Sequence, residues 1–355
     1  MSVESIIKIE RQPKEQEQTL DQATSRIGKR SHKGLQFALR IAVTAVMFFF
    51  LLHSVSWSRL FTTLMKVQHT ALLISLTIGG MSIIFSAYSW RSLVLAEHIQ
   101  TDLARLIHLY LVGIAFSHFL PTSMGGDVAK AYYVGKESGN MAGAASAVLL
   151  SRVTGFLGML LISLPALFIW HSLFKQTVVV GFLLLSLLLI TMVSGTLIAS
   201  TLLPRLSDRF FNTKWFANRL VITAIEVGNA LGYALKRPRA LCAAIGFSLL
   251  FWIAGFLNYY GFAMALHIQV PFPFYIVAIA FVSTVAFFPI SINGYGIREG
   301  ALVYVFSTMH VPASTSLLLA FLVDMQVLLF GLIGGCIYLT MGNEQTQRNK
   351  GASLL

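Results

Sequence analysis

Residues 119–130, Phe-Leu-Pro-Thr-Ser-Met-Gly-Gly-Asp-Val-Ala-Lys, return in altered form as residues 287–298, Phe-Phe-Pro-Ile-Ser-Ile-Asn-Gly-Tyr-Gly-Ile-Arg. The alignment needs no gap and pairs Pro121 with Pro289, Ser123 with Ser291, Gly125 with Asn293, Gly126 with Gly294, and Lys130 with Arg298. Each copy interrupts apolar sequence with a proline, turn-forming residues and charge. Within a bilayer, backbone can leave the helix only where protein or a watery cavity surrounds it. The two copies therefore predict two broken, re-entrant hairpins that meet inside the membrane.

The composition is that of an integral membrane protein. Of the 355 residues, 56% are hydrophobic and only 11% are charged, against about 25% charged in soluble proteins. The net charge of +12 is compatible with nucleic acid binding, but the basic residues lie mainly in loops and ends, where they indicate topology and contacts with anionic lipid headgroups. The two cysteines, Cys242 and Cys336, lie in apolar runs without metal-ligand spacing, which argues against a disulfide or a metal site.

Six apolar runs are long enough to cross a bilayer, which takes about 20 helical residues. They cover residues 35–55, 70–95, 141–170, 177–203, 240–266 and 314–339. Residues 1–34 predict a disordered basic cytoplasmic arm, residues 341–355 a cytoplasmic tail, and the strongly basic segment 204–239 an amphipathic helix on the cytoplasmic surface. Under this scheme every loop rich in Lys and Arg lies in the cytoplasm, as do both termini.

Two further apolar runs, Leu106–Leu120 and Tyr275–Phe288, are short and end at the prolines of the two motifs. We interpret each as half of a re-entrant hairpin, the first inserted from the cytoplasm and the second from outside. The order crossing, crossing, hairpin, crossing then occurs twice, in halves 35–170 and 177–340. Three crossings per half is an odd number, so the second half starts from the opposite face. The sequence thus predicts an all-α polytopic membrane protein with an inverted repeat of three transmembrane helices plus one re-entrant hairpin per half. A competing count treats each hairpin as a full crossing and gives eight spans.

The first motif contains residues suited to holding an anion. Gly125 and Gly126 permit backbone conformations that a side chain forbids, and Asp127 is placed to cap the following helix. Free amides at that helix start, with Lys130 one turn later, would form a cradle for a phosphate or carboxylate. The alternative is structural: Asp127 only caps the helix and Lys130 only extends to the membrane surface.

The second motif supplies a turn and an adjacent pair of opposite charges. Asn293 and Gly294 belong to the turn, and Arg298 and Glu299 follow it. A buried arginine binds phosphate through two parallel hydrogen bonds, which suits a lipid headgroup. Glu299 is expected either to hold Arg298 in place or to bind a cation or proton. The alternative is a self-neutralising pair at the outer interface.

Two charges lie inside crossings that follow the motifs. Arg152 is roughly mid-helix in the run 141–170, and Asp324 lies in the run 314–339. Charges at such depth face the bundle interior and pair. We therefore predict either an Arg152–Asp324 contact or a contact of each residue with a hairpin, with a purely structural ion pair as the alternative. His118 is placed to titrate but is more typical of a hydrogen-bonded packing histidine.

Several enzyme signatures are missing from the sequence. It contains no GxxxxGK[ST] phosphate loop, no HExxH and no GxSxG motif, and it has no soluble segment large enough to hold a nucleotide. We expect neither a cofactor nor an ATP-driven pump encoded in this chain. A membrane-embedded transferase that uses Asp127 or Glu299 as a base is an alternative.

The paired motifs, with Arg152 in the helix between them, resemble the flippase-like transmembrane domain of the lysylphosphatidylglycerol synthase family. The resemblance covers about residues 35–340. It implies a bacterial inner-membrane protein similar to the membrane half of the multiple peptide resistance factor. In two-domain relatives a soluble domain transfers lysine to phosphatidylglycerol, and the membrane half moves the product outward. This chain ends at Leu355 without room for that soluble domain, so we expect no lysyltransferase activity.

The leading hypothesis is a lipid translocase that moves a polar-headgroup phospholipid or lipid-linked intermediate between leaflets. Its substrate-binding residues would be Gly125, Gly126, Asp127, Lys130, Arg152, Asn293, Gly294, Arg298, Glu299 and Asp324. One alternative is a non-catalytic membrane partner of a separately encoded glycosyl- or aminoacyltransferase. Another is a secondary transporter that couples a small anion to protons through its acidic residues.

Overall fold

The computed structural model describes residues 67–119, 125–210, 228–229, 232–233, 235–287, 291 and 294–352. Within these ranges the regular structure is α-helical apart from one short 3₁₀ turn, His171–Leu173, and no strand is present. The all-α class is therefore confirmed. The helices are α1 (His69–Ala96), α2 (Leu103–Phe119), α3 (Gly125–Ser138), α4 (Met141–Ile169), α5 (Gln176–Phe210), α6 (Pro238–Ala265), α7 (Phe272–Phe287), α8 (Ile297–Ser307) and α9 (Ala313–Ala352).

Four helices are long and apolar enough to cross a membrane: α1, α4, α6 and the segment Ala313–Thr340 of α9. Each has about the length that crosses a bilayer. They also leave large apolar side chains uncovered, among them Leu73, Phe168 and Leu339, which are 61–69% exposed. Water would penalise such a surface, whereas acyl chains solvate it. The protein is a multi-pass membrane protein.

Two helices continue beyond the predicted crossings. Helix α5 continues to Phe210, past Pro204, where the sequence analysis ends the crossing at residue 203. Helix α9 continues to Ala352, through most of the segment assigned to the tail. Residues 343–348 are Asn-Glu-Gln-Thr-Gln-Arg, in which Glu, Gln and Arg favour helix strongly enough to extend it beyond the apolar run. The predicted crossing 35–55 and most of the predicted amphipathic segment lie outside the described residues.

Helices α1 and α6 pack against each other more extensively than any other pair of described helices. Between them the Asn258 Nδ2 amide donates to the Ser75 carbonyl oxygen at 2.6 Å, and Gln326 of α9 donates to the same carbonyl at 3.4 Å. A β-carbon on Gly79 would overlap the Gln326 amide. Small residues and interhelical hydrogen bonds thus hold α1, α6 and α9 together, as is common where lipid removes the hydrophobic driving force between helices.

Helices α1 and α6 end in the same way, and the sequence analysis missed this. Ala96-Glu-His-Ile-Gln100 follows α1, and Ala265-Leu-His-Ile-Gln269 follows α6. His98 and His267 both have a positive φ, 59° and 57°. In each case the next isoleucine N–H donates to a carbonyl five residues back, which is the Schellman helix ending. The two halves of the chain therefore share a second local motif besides the one that contains the prolines.

Candidate functional site

The first motif places two short helices, α2 and α3, side by side. A β-carbon on Gly126 would overlap the Gly113 carbonyl oxygen and the Ser117 hydroxyl, so the glycine is needed for close contact between helices. Gly125 and Gly126 are the first two residues of α3, and their predicted role as a turn is wrong. Asp127 is the third residue of α3 and lies in its first turn, where a carboxylate interacts favourably with the helix N-terminus.

Asp127 instead joins the two cations of the first half. Its carboxylate contacts the Lys130 ammonium at 2.7 Å and pairs with the Arg152 guanidinium of α4. The Lys130 ammonium also lies over the rings of Tyr110 and Trp90, 4.7 and 5.5 Å from their centroids. Lys130 is only 11% exposed. A lysine held this way is part of the bundle interior and does not extend to the membrane surface.

Residues of the second motif form a comparable cluster whose net charge has the opposite sign. Gly294 and Gly296 have φ values of 77° and 84°, a conformation that favours glycine, so the predicted turn is confirmed for its described part. The Glu299 carboxylate accepts a hydrogen bond from the Gly296 N–H and contacts Arg298 at 3.5 Å. Arg298 also pairs with Asp324 of α9. Glu299 is fully buried, so its side of this pair lies inside the helix bundle.

Arg152 and Asp324 each contact the short helices of their own half. Arg152 pairs with Asp127 of α3, and Asp324 pairs with Arg298 of α8. Of the two predicted arrangements, the contacts match the one in which each charge meets a motif segment and not the direct Arg152–Asp324 contact. The first cluster contains two cations and one carboxylate, whereas the second contains one cation and two carboxylates. With all six groups ionised, the first cluster is net positive and the second net negative.

Two polar cavities share the Asp127–Lys130 pair. One, of about 260 Å³, is lined by Arg152 together with Trp90 and other residues of α1, α4 and α6. The other, of about 250 Å³, is lined by Arg298, Gly126 and residues of α2. Lys130 and Arg298, which the motif alignment pairs, therefore line one cavity. The sequence analysis anticipated that the two motifs would bring basic side chains together, and they do so here.

An apolar groove of about 400 Å³ runs beside the second cavity, between α2 and α9. Its lining residues are Ala115, Phe116, Gly331, Leu332, Gly335, Cys336, Tyr338 and Leu339. The groove and the cavity adjoin at Gly331, where a β-carbon would lie 3.7 Å from both Ile114 and His118, which line the cavity. A polar chamber thus borders directly on a surface suited to hydrocarbon.

The remaining predicted site residues have structural positions or lie outside the described part. Gly125 and Gly294 are buried in the backbone of their motifs, whereas Asn293 and both motif prolines lie outside the described residues. His118 Nδ1 bonds to the Ile114 carbonyl at 2.9 Å, as expected of a packing histidine, although its ring also lines the second cavity. Sequence reasoning missed Trp90 and Tyr110 because aromatic residues in apolar helices resemble ordinary core.

The fold and site define a polytopic helical membrane protein with a buried, charged chamber formed by two related short-helix motifs. The family model described as the lysylphosphatidylglycerol synthase TM region matches residues 37–335. The chain belongs to this family, which confirms the resemblance drawn from the motifs. No curated protein and no solved structure matches it. Membership gives the protein a membrane role connected with lipids.

Proposed function

We propose that this protein is a lipid translocase that moves a phosphate-bearing headgroup through the membrane interior without ATP. The observation that carries the proposal is the position of Lys130, which lines both polar cavities. A phosphate in the first cavity would contact Lys130 and Arg152. A phosphate in the second cavity would contact Lys130 and Arg298. Lys130 stays in contact with the phosphate while the arginine partner changes, so the charge is never left unpaired in the bilayer.

The apolar groove favours a lipid over a small soluble anion. A small anion needs only the polar cavities, whereas a phospholipid must keep its acyl chains in a hydrocarbon environment while its headgroup is inside the protein. The groove between α2 and α9 adjoins the cavity of Arg298 at Gly331. We assign the groove to an acyl chain of the transported lipid.

The acidic residues give little support to proton coupling. Asp127 contacts Lys130 and Arg152, Asp324 contacts Arg298, and Glu299 contacts Arg298 and a backbone N–H. Each carboxylate is paired with a cation, and protonation would break that pairing, whereas a proton carrier must alternate between its charged and neutral forms. We infer that the acids position the cations.

An inverted repeat would open the cavities to one leaflet at a time. Its support is a matching set of helix contacts. In the first half, α2 packs against α9 and α3, and α3 packs against α4. In the second half, α7 packs against α4 and α8, and α8 packs against α9. The shared ending of α1 and α6 points the same way. These matches are expected if residues 35–170 and 177–340 are related halves with re-entrant hairpins at α2–α3 and α7–α8.

The proposal includes the setting of the protein. We place it in the bacterial inner membrane with both termini in the cytoplasm, because the basic loops then face inward. We propose no catalytic activity of its own. A separately encoded transferase that makes or uses the transported lipid is a compatible partner, and the membrane-partner hypothesis differs only in requiring no movement of lipid by this chain.

The test is lipid transfer in proteoliposomes. With a headgroup-labelled phospholipid and a quencher added outside, Arg152→Ala and Arg298→Ala are expected to abolish transfer while the protein still inserts. Removing Arg298 alone leaves Asp324 buried and unpaired, which costs stability. The double variant Arg298→Gln with Asp324→Asn removes one charge of each sign, keeps the net charge of the cluster and leaves Glu299 hydrogen-bonded to the Gly296 N–H, so it should fold and still fail to transfer lipid.

The matched control is the ion pair of Arg105 with Glu137, whose side chains are 30% and 35% exposed. Neutralising both residues should leave transfer unchanged, because exposed pairs contribute little. Wild-type transfer rates in the Arg152→Ala variant or in the Arg298/Asp324 double variant would contradict the proposal.

A further inference from the structure

The cavity lined by Arg152 offers contacts for a phosphate and for a group attached to that phosphate. Its wall combines the cations Lys130 and Arg152 with four serines, Ser86, Ser89, Ser151 and Ser248, and with aromatic rings on several sides. A phosphate needs only the cations. The hydroxyl-bearing and aromatic part of the wall therefore faces whatever the phosphate carries.

Trp90 provides a buried donor in this wall. The side chain is 1% exposed, and among the described residues no acceptor pairs with its indole N–H. Trp252, on the same cavity, donates its indole N–H to the Gly155 carbonyl at 2.8 Å. An unsatisfied buried donor is costly, and the large majority of such groups are paired. The Trp90 N–H is therefore a buried donor whose acceptor is missing from the described residues, on a side chain that lines this cavity.

The serines add acceptors. The Ser151 hydroxyl donates to the Val148 carbonyl at 2.7 Å, so its oxygen lone pairs remain for a ligand. The Ser89 hydroxyl donates to the Ala244 carbonyl at 3.0 Å, and Ser248 lies 3.1 Å from Ser89. A ligand group that both accepts from an indole and donates to serine oxygens must carry an acceptor and a donor, which an alcohol does at a single oxygen.

A cationic headgroup is disfavoured in the same cavity. The faces of Trp90 and Tyr110 already hold the Lys130 ammonium, and the Asp127 carboxylate is shared between Lys130 and Arg152. A second ammonium would find no free carboxylate on the cavity wall and would be repelled by two cations. The local excess of one positive charge matches a phosphodiester, which carries one negative charge.

We propose that this cavity selects a phosphodiester that bears an uncharged polyhydroxyl group. The phosphate pairs with Lys130 and Arg152, a ligand hydroxyl accepts from the Trp90 N–H, and other hydroxyls donate to the serines. That the phosphodiester belongs to a membrane lipid rests on the proposed function. The selection of the headgroup depends only on the residues of the cavity wall.

The test is binding to the detergent-solubilised full chain, measured by native mass spectrometry. The probes are dioctanoyl phosphatidylinositol, phosphatidic acid and phosphatidylcholine, and the soluble glycerophosphoinositol. Phosphatidylinositol is expected to bind about tenfold or more tightly than phosphatidylcholine. Trp90→Phe keeps the ring and removes the N–H, so it should weaken phosphatidylinositol binding about three- to tenfold, the effect of one hydrogen bond, and leave phosphatidic acid unchanged. Trp170→Phe, at the end of α4 and absent from the cavity lining, is the matched control and should alter neither.

Retained phosphatidic acid binding shows that the Trp90→Phe variant is folded. If this variant fails to fold, Ser151→Ala removes only an acceptor and should weaken phosphatidylinositol selectively. The inference is overturned if phosphatidylcholine binds as tightly as phosphatidylinositol, or if Trp90→Phe weakens all lipids alike.

The outcomes separate headgroup selection from translocation. Equal binding of glycerophosphoinositol and phosphatidylinositol would support the polyol phosphodiester and contradict a lipid source. Selective binding of phosphatidylinositol without transfer in proteoliposomes would contradict the translocase alone. Transfer of phospholipids without any headgroup preference in binding would contradict this inference alone.

Discussion

Lys130 and Arg298 occupy equivalent motif positions but have different surroundings. Lys130 is held by Asp127 and by two aromatic rings, whereas Arg298 is held by two carboxylates. An ammonium is a compact charge with three donors and can rotate towards either cavity, whereas a guanidinium presents a fixed planar fork. Of these two cations, the one that lines both cavities is the one whose charge is less directional.

Gly126 gives a prediction at the scale of one residue. A β-carbon there would overlap the Gly113 carbonyl and the Ser117 hydroxyl, and backbone cannot move aside as a flexible side chain can. Gly126→Ala should destabilise the protein by about 1–3 kcal/mol, the usual effect of overpacking. Thermal unfolding in detergent measures it. Gly255→Ala, where a β-carbon meets nothing within 4 Å, is the control; equal melting temperatures for the two variants would contradict the close contact.

The ends of the helices near the motifs were predictable from the sequence, whereas the ion-pair partners of the charged residues were not. Helices α2 and α7 end at Phe119 and Phe287, within one residue of the predicted ends, because proline, glycine and charge act locally. The pairing of Arg152 with Asp127 and of Asp324 with Arg298 depends on how α4 and α9 rotate against the short helices. Sequence spacing left two arrangements open, and only packing decides between them.

The second shared segment was also hard to find in the sequence. The His-Ile-Gln segments after α1 and α6 are short, and their offset differs by one residue from that of the proline motifs, so a gapless alignment passes over them. Their shared backbone conformation makes the match visible. The Trp90 donor was equally hidden, since an unpaired N–H has no sequence signature.

Glu97 connects two elements and gives a pH-dependent prediction. It follows α1, and its carboxylate accepts a hydrogen bond from Ser146 of α4 at 3.0 Å. Burial raises the pKa of the Glu97 carboxyl, although the Ser146 hydroxyl and Arg237 oppose the shift. The neutral form is therefore more favourable in the folded protein than in the unfolded chain. The stability that Glu97 contributes is present at low pH and is lost as the pH rises through its folded-state pKa.

Glu97→Gln should therefore raise the melting temperature at pH 8, because the amide keeps an oxygen for Ser146 and avoids burying a charge. The difference from wild type should shrink as the pH falls towards about 4, where the carboxyl is protonated in both folded and unfolded states. Melting curves from pH 4 to 8 measure it. Glu137→Gln, in the exposed pair with Arg105, is the control. A constant difference across this pH range would contradict the role of burial.

At the scale of the whole molecule, the apolar groove and the second polar cavity are neighbours, separated by the packing of Gly331 against Ile114 and His118. The groove lies between α2 and α9, which belong to different halves, and the second cavity lies beside it and is lined by Lys130 and Arg298, again one from each half. A movement of one half against the other would change both spaces together. Headgroup and acyl chain would then be admitted by the same motion, which is a requirement for moving an intact lipid.

The two cysteines of the chain provide a matched test of the groove. Cys336 lines the groove on α9, and Cys242 lies on α6; both are free and exposed. Cys336→Trp fills the groove with an indole without touching the charged clusters, so it should reduce lipid transfer at least tenfold in proteoliposomes. Cys242→Trp adds the same bulk to an exposed position away from the groove and should leave transfer near wild type. If the groove holds an acyl chain, a soluble headgroup analogue should still bind the Cys336→Trp protein with unchanged affinity. Full transfer by the Cys336→Trp protein would show that the lipid takes another path.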